Sequence, residues 1–455
     1  MPHNLIHHQK HKYKYLYAAG FSFAVLLLLT GLLLDDPRNI LPGIATILRS
    51  QDVLITDYIA LAGPGAAFVN AGLVSLLSLG LKWLVDEPHN GTDVVDIGLM
   101  SGFALFGKNI LNIWPIILGT FLFAKLKREP FGKFVSVSLL ATSLSPLVSF
   151  VALSPGRLSV LLGLLIGVAV GFVVAPLSIY TYRIQNGMNL YNMGFACGLL
   201  AMVIVPLFSA VNRAPEKAHY WATGYNLPLG IMLAVLCTAL ILAGTLYGKR
   251  TAWREYAHMV RHMSGRSPSD YLRMFGPGAT LINMGINGMV STVLILATGG
   301  DLNGPTVGCI FTVMGFSATG KHVRNILPIM AGVLLGSVVF HFSINDPAVQ
   351  IAALLCTTLA PISGCFGWPF GILAGFLHSA LVLEAGSVAE GVNLYNNGFS
   401  GGLLAIVLYP VISAIVYHRK AVLQDKEYMD VFLNEDSLSP EEEEKNHSKD
   451  IDMPF

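Results

Sequence analysis

The chain carries one passage twice. Residues 187–211 read GMNLYNMGFACGLLAMVIVPLFSAV and residues 391–415 read GVNLYNNGFSGGLLAIVLYPVISAI, identical at 15 of 25 positions. The match extends upstream. Gly63-Pro64-Gly65 with Asn70 and Gly72 recurs as Gly276-Pro277-Gly278 with Asn283 and Gly285. Gly107-Lys108 with Asn112 and Pro115 recurs as Gly320-Lys321 with Asn325 and Pro328. Thr142-Ser143 with Pro146 recurs as Thr357-Thr358 with Pro361. The offsets are 213, 213, 215 and 204, so loops of slightly different length separate two copies of one unit. A long internal repeat constrains the architecture before any local reading does.

The solvent of this unit is lipid. Only 12% of the 455 residues are charged and the mean hydropathy is +0.62, where soluble domains carry about 25% charged residues. Apolar stretches of spanning length recur from 15–34 to 393–417. In lipid the backbone must pair internally, so these stretches are helices. The sequence predicts an all-α polytopic membrane protein with two inverted-topology repeats of about five helices each and short re-entrant segments. Its expected parts are an N-terminal anchor helix and lead-in (1–55), repeat one (56–212), a linking helix and basic loop (213–268), repeat two (269–417) and an acidic disordered tail (418–455).

The orientation follows from positive charge, which collects on the cytoplasmic side. Lys10, Lys12 and Lys14, the loop 125–133, the loop 248–275 and Arg419-Lys420 are basic; the connections 35–57, 299–304, 342–347 and 384–391 are not. Loops 125–133 and 342–347 are equivalent in the repeat yet opposite in charge. The second copy is therefore expected upside down, with both termini cytoplasmic in the cell membrane. Segments 95–107 and 308–320 have about 13 residues, or roughly 20 Å of helix, too short to cross. Short, glycine-interrupted segments at matching places in two halves point to a binding site near the midplane.

Ten residues are candidates for that site. Lys108 and Lys321 end the short segments, and an intramembrane lysine is a functional hypothesis by default. The competing reading makes each a helix C-cap or an interfacial, snorkelling side chain. Asn189 and Asn192, like Asn393 and Asn396, lie three apart and share a helix face. They either contact a solute or bond a neighbouring helix across small-residue packing. Asn70 and Asn283 belong to the repeated Gly-Pro-Gly block. Thr142 and Thr357 precede intramembrane prolines, where a hydroxyl re-satisfies a freed carbonyl or lines a pore.

The charge balance of +1 gives no basic excess for nucleic acid, and no catalytic, metal or cofactor motif occurs. The five cysteines sit in apolar segments without CxxC spacing and read as packing residues. Asp96, whose counterpart is Cys309, is the one carboxylate in a short segment; with so few buried acids, passive or Na⁺-coupled movement fits better than a proton relay.

With GPGA…N-x-G, FGKN…N…P and N-L-Y-N-x-G-F each present twice, the chain resembles an uncharacterised family of duplicated prokaryotic membrane proteins over roughly 56–417. A fainter architectural similarity is to the urea transporters, through Tyr191-Asn192 and Tyr395-Asn396. It implies half-helices in inverted five-helix repeats, without implying urea as the solute. The expected function is a transporter or channel-like facilitator of a small polar or anionic solute, with its site between the repeats. The expected partners are that solute and the bilayer; a homo-oligomer is left open. A membrane-embedded enzyme or sensor, or a scaffold subunit, is the alternative.

Overall fold

A computed structural model of the chain describes residues 15–85, 89–211, 215 and 218–416. The N-terminal lysines and the acidic tail fall outside the described residues. Copy one contains α1 (Tyr15–Leu34), α2 (Pro37–Leu48), α3 (Tyr58–Ala62), α4 (Pro64–Val85), α5 (Gly91–Phe103), α6 (Trp114–Lys127), α7 (Val135–Ala141), α8 (Ser145–Ala152), α9 (Ser159–Gln185) and α10 (Asn192–Ser209). Copy two contains α11 (Asn226–His262), α12 (Tyr271–Ala297), α13 (Gly304–Phe316), α14 (Val323–Val339), α15 (Pro347–Leu355), α16 (Ala360–Phe366), α17 (Trp368–Val388) and α18 (Asn396–Val416). Among the described residues, ten helical stretches are long and apolar enough to cross a membrane; α7 and α8 count as one such stretch, as do α15 and α16. The chain divides into a large unit, Met1–Tyr409, which holds everything discussed below, and a small one that begins with the last turns of α18.

The structure puts the repeat boundary earlier than the motifs do. A methyl group built on Gly31 of α1 would stand 2.7 Å from the Gly65 carbonyl oxygen, and one on Gly72 would lie 3.1 Å from the Ala24 oxygen. In copy two, Gly244 of α11 meets the Gly278 oxygen at 2.5 Å and Gly285 meets the Cys237 oxygen at 2.6 Å. Each of the four positions has moved by 213. Helix α11 is therefore α1 and α2 fused, with its break at Lys249 (φ 50°, ψ −136°). Helix α12 fuses α3 and α4 across Gly276, whose φ of 78° matches the 88° of Gly63. The anchor and the linking helix are one element seen twice.

The short helices belong to hairpins. Asp96 meets Ser136 (2.7 Å) and Ser145 reaches the Gly107 carbonyl (3.2 Å), so α5 runs parallel to α7 and α8. Asn112 meets Ser149 (3.1 Å) and the Phe123 ring meets Phe134, so α6 runs antiparallel to them. Helices α5 and α6 thus go in and come back, turning at 104–113. Helices α13 and α14 repeat this around 317–322.

The copies contact one another reciprocally, as a two-fold relation requires. Asp57 accepts from the Gly304 amide at the start of α13 (3.2 Å), while Asp270 accepts from the Gly91 amide at the start of α5 (3.1 Å). Each carboxylate sits at the positive end of the other copy's short helix. The two short helices cross antiparallel, with Gly102 against Gly308 and Gly98 against Phe311 and Gly315. A methyl on Gly102 would lie 2.4 Å from the Gly308 oxygen, so only glycine permits this approach.

Candidate functional site

Each hairpin tip is an unwound turn whose carbonyls are held by asparagine. Gly107 and Gly320 share a φ of 142° and open the helix. Asn70 donates to the carbonyls of Ala104 (2.7 Å) and Lys108 (2.8 Å). Asn283 does the same for Ser317 and Lys321, both at 2.7 Å. Asn112 and Asn325 donate to the Gly107 (3.1 Å) and Gly320 (2.9 Å) carbonyls. Buried backbone groups freed by a broken helix require such partners. Asn70 and Asn283 are therefore builders of the tip.

The lysines point inward from it. Lys108 and Lys321 are both fully buried, which removes the snorkelling reading, and their ammonium groups bond side chains rather than helix-end carbonyls. The Lys108 ammonium donates to the Tyr395 hydroxyl and reaches the Met100 sulfur at 3.4 Å. The Lys321 ammonium donates to the Tyr191 hydroxyl and to Thr357 Oγ1 (2.7 Å). Each tyrosine comes from the other copy. Each ammonium also lies over aromatic faces: Lys108 is 4.7 Å from the Tyr395 ring centre and 5.8 Å from Phe103, Lys321 4.3 Å from Tyr191 and 5.1 Å from Phe316. Such faces favour a cation, by up to about 2 kcal/mol when desolvated. Among the described residues, neither lysine has a carboxylate at ion-pair distance. Thr142 and Thr357 each donate three residues back, to the Leu139 and Leu354 carbonyls, but Thr142 sits 3.5 Å from the Met100 sulfur where Thr357 accepts from Lys321.

The Asn-Leu-Tyr-Asn motifs form the joint that presents these tyrosines. Asn189 donates to the Gly398 carbonyl (3.0 Å) and Asn393 to the Gly194 carbonyl (3.2 Å). The Leu190 amide donates to the Thr358 carbonyl (2.9 Å) and the Leu394 amide to Ser143 (3.0 Å). Gly194 and Gly398 face each other, and the rings of Phe195 and Phe399 stack at 6.0 Å. Asn192 and Asn396 lie outside this joint. Their nitrogens donate within their own copies, to Ser178 (2.8 Å) and Val382 (3.4 Å), while both Oδ1 atoms are buried without a partner. Asn393 and Asn396, with Leu54, Phe106, Ile351 and Val382, line a cavity of about 230 Å³ beside the first tip.

The pattern of one uncharacterised family, described as "Protein of unknown function (DUF1576)", matches residues 36–210 and again 249–414. The chain belongs to that family. The two matches begin 213 residues apart, at Asp36 and Lys249, which is the spacing of the fused helices. No curated protein and no solved structure matches the chain, so the similarity to urea transporters gains no support.

Within this member of the family, the structure unites Lys108 and Lys321 with Tyr395 and Tyr191. The tyrosines stand inside the repeated motif, but sequence reasoning passes over them because their partners lie 287 and 130 residues away. A hydroxyl on a twice-repeated aromatic is the signal that could have found them. Two polar clusters are assembled only by the fold, although Asp96 of the second stands out in the sequence as the one carboxylate in a short segment. Asp52 accepts from Tyr58 (2.6 Å), Asn109 (3.0 Å), Asn112 (3.0 Å) and Ser149 (2.8 Å). Lys82, at the end of α4, pairs with Asp93 and with Asp96 (2.6 Å).

Proposed function

We propose that the protein is a transporter or channel-like facilitator for a small polar or anionic solute, set in the cytoplasmic membrane with both termini in the cytoplasm. One observation carries this reading. Two buried ammonium groups, each on a re-entrant tip and each without a carboxylate partner among the described residues, meet hydroxyls of the opposite copy. An uncompensated intramembrane cation is costly, and an anion offsets that cost. The tips are the elements that join the copies, so rocking one copy against the other would break one lysine–tyrosine contact and expose its ammonium.

The inverted orientation belongs to this proposal. With α5 and α6 returning to their own side, each copy crosses five times, through α1, α4, α7–α8, α9 and α10 or their counterparts. An odd number inverts the second copy, in keeping with the antiparallel crossing of α5 and α13 and with the basic loops at 125–133 and 248–275. The cavity beside the first tip is then a vestibule on the outer face.

The test is solute flux in proteoliposomes, screened across small inorganic and organic anions and neutral polar solutes by osmotic swelling. For the solute that moves, Lys108→Met and Lys321→Met should each lower the rate about 10-fold or more, a barrier change of about 1.4 kcal/mol. The arginine variants should recover part of it. Undiminished flux in both methionine variants would remove the lysines from the path.

A further inference from the structure

A second buried charge cluster lies at the other end of α5, and only copy one has it. Lys82 of α4 holds Asp93 and, at 2.6 Å, Asp96 Oδ2; it also donates to Ser136 Oγ (3.2 Å). Ser136 of α7 donates in turn to Asp96 Oδ2 (2.7 Å). His89 Nδ1 lies 2.7 Å from Asp93 Oδ2, and the Tyr17 ring of α1 packs edge-on against the imidazole, with ring centres 4.3 Å apart. Asp96 is fully buried, and its Oδ1 has no hydrogen-bond partner. At an offset of 213, copy two carries Ile295, Leu302, Thr306 and Cys309 in place of Lys82, His89, Asp93 and Asp96.

The two carboxylates are not equally supported. One ammonium is shared by both; Asp93 also has the His89 imidazole at 2.7 Å, whereas Asp96 has, besides Lys82, only the Ser136 hydroxyl. The crossing helix α13 brings no charge, and Cys309 is its only titratable residue. The next charged group along α5 is Lys108 at the tip. A single proton on Asp96 Oδ1 removes the charge of this fully buried carboxylate and gives its partnerless oxygen a hydrogen. A cation of larger radius would have to displace the Lys82 ammonium from the same carboxylates.

We propose that Asp96 is a proton-binding site that sets the grip on the copy-one hairpin. The ionised carboxylate ties the N-terminal half of α5 to α4 through Lys82 and to α7 through Ser136. Proton binding withdraws one of the two negative charges that Lys82 holds and loosens α5, whose far end carries Lys108. The first copy is therefore proton-linked and the second is not. Only this consequence for solute movement rests on the transporter reading; proton binding and hairpin release stand without it.

Two measurements on the full-length protein in lipid test the proposal without any solute. Infrared difference spectra between alkaline and acid buffer should contain a carboxylic acid C=O band that disappears in Asp96→Asn and persists in Asp52→Asn. Hydrogen–deuterium exchange, corrected for intrinsic rates, should show segment 91–103 losing protection on acidification while 304–316 does not. In Asp96→Asn, 91–103 should exchange at the acid-state rate at every pH. A band unchanged in folded Asp96→Asn would overturn the proposal. So would equal pH responses in both segments, or none in either, and the wild-type series alone can give that result if the variant does not fold. A flat flux screen combined with the expected spectra would instead count against transport and leave the proton site standing.

Discussion

At position 52 the first copy has an aspartate, and at the equivalent position 265 the second has a glycine. Around Asp52, four donors from α3, the tip and α8 converge on one buried carboxylate. Around Gly265, the same space is filled by backbone. Asn325 donates to the Ser264 carbonyl (3.3 Å), His322 Nε2 lies 2.9 Å from the Met263 carbonyl oxygen, and a methyl on Gly265 would stand 2.0 Å from the Gly320 oxygen. The two tips share a backbone geometry and a lysine–tyrosine contact, but one is clasped by an ionisable group and the other by carbonyls. Together with the Lys82 cluster, this makes copy one the chemically responsive half. Duplication conserved the frame and left the clasps free to diverge.

The sharpest way to break the comparison is to remove the clasp. Asp52→Leu takes the acceptor from Tyr58, Asn109 and Ser149, with Asn112 keeping the Gly107 carbonyl, and should cost about 3–5 kcal/mol, read as a large drop in melting temperature in detergent. The reciprocal change, Gly265→Ala, drives a methyl into the Gly320 carbonyl at a φ of 79° and should cost about 1–3 kcal/mol. A smaller loss for Asp52→Leu than for Gly265→Ala would reverse the assignment of which tip depends on side chains.

A symmetric pair serves as the control. Asn70→Leu removes the donor to two buried tip carbonyls and Asn283→Leu does the same, with Asn287 still reaching the Lys321 carbonyl at 3.4 Å; each should cost about 1–3 kcal/mol. Similar losses in the two copies would confirm equal frames; a strong inequality would place the asymmetry in the frame as well.

Acid and base separate the clasps more gently. Burial pushes the Asp52 carboxyl up to about 7, against hydrogen bonds from Tyr58, Ser149 and Asn112 that pull it down, and burial likewise raises Asp57 to about 6. Both values exceed the unfolded value of about 4. The folded protein then binds more protons than the unfolded chain between about pH 4 and 7, so stability falls as pH rises through that window and levels off above it. In Asp52→Asn the part of the decline that runs up to about pH 7 should be lost, leaving the part below about pH 6 to which Asp57 contributes. Thermal melts across the range read this directly.

The smallest effect belongs to Asn192→Leu and Asn396→Leu. Each loses one helix-packing bond within its own copy, worth roughly 0.6 kcal/mol in a membrane, and solute affinity should hold. An affinity loss in Asn396→Leu alone would bring its partnerless Oδ1 and the adjoining cavity into the solute site.

How much of this is legible in the sequence depends on what lipid tolerates. The tips are readable because Gly107-Lys108 and Gly320-Lys321 need glycine at a φ of 142° and asparagines to hold the freed carbonyls; such demands preserve residue identity. The joint is readable because Gly194 and Gly398 must touch. The equivalence of α1 and α11 is hidden, since a lipid-facing helix accepts almost any apolar residue, and Gly31 and Gly244 are the contact positions that stayed the same. Asp52 and Lys82 are hidden for another reason: their partners come from as far as 97 and 54 residues away, and no local spacing records a cluster assembled by the fold.

The central claim is that two copies of one unit face opposite ways and serve each other's lysines. Four of the five native cysteines are buried, which leaves a quiet background for single-cysteine labelling once the fifth, Cys365, is replaced. In intact cells, Asn345→Cys should react with a membrane-impermeant maleimide added outside, while Pro130→Cys should react only after the membrane is opened. Reaction of both from the same side would contradict the inverted arrangement, and with it the account of the two tips as opposite gates of one path.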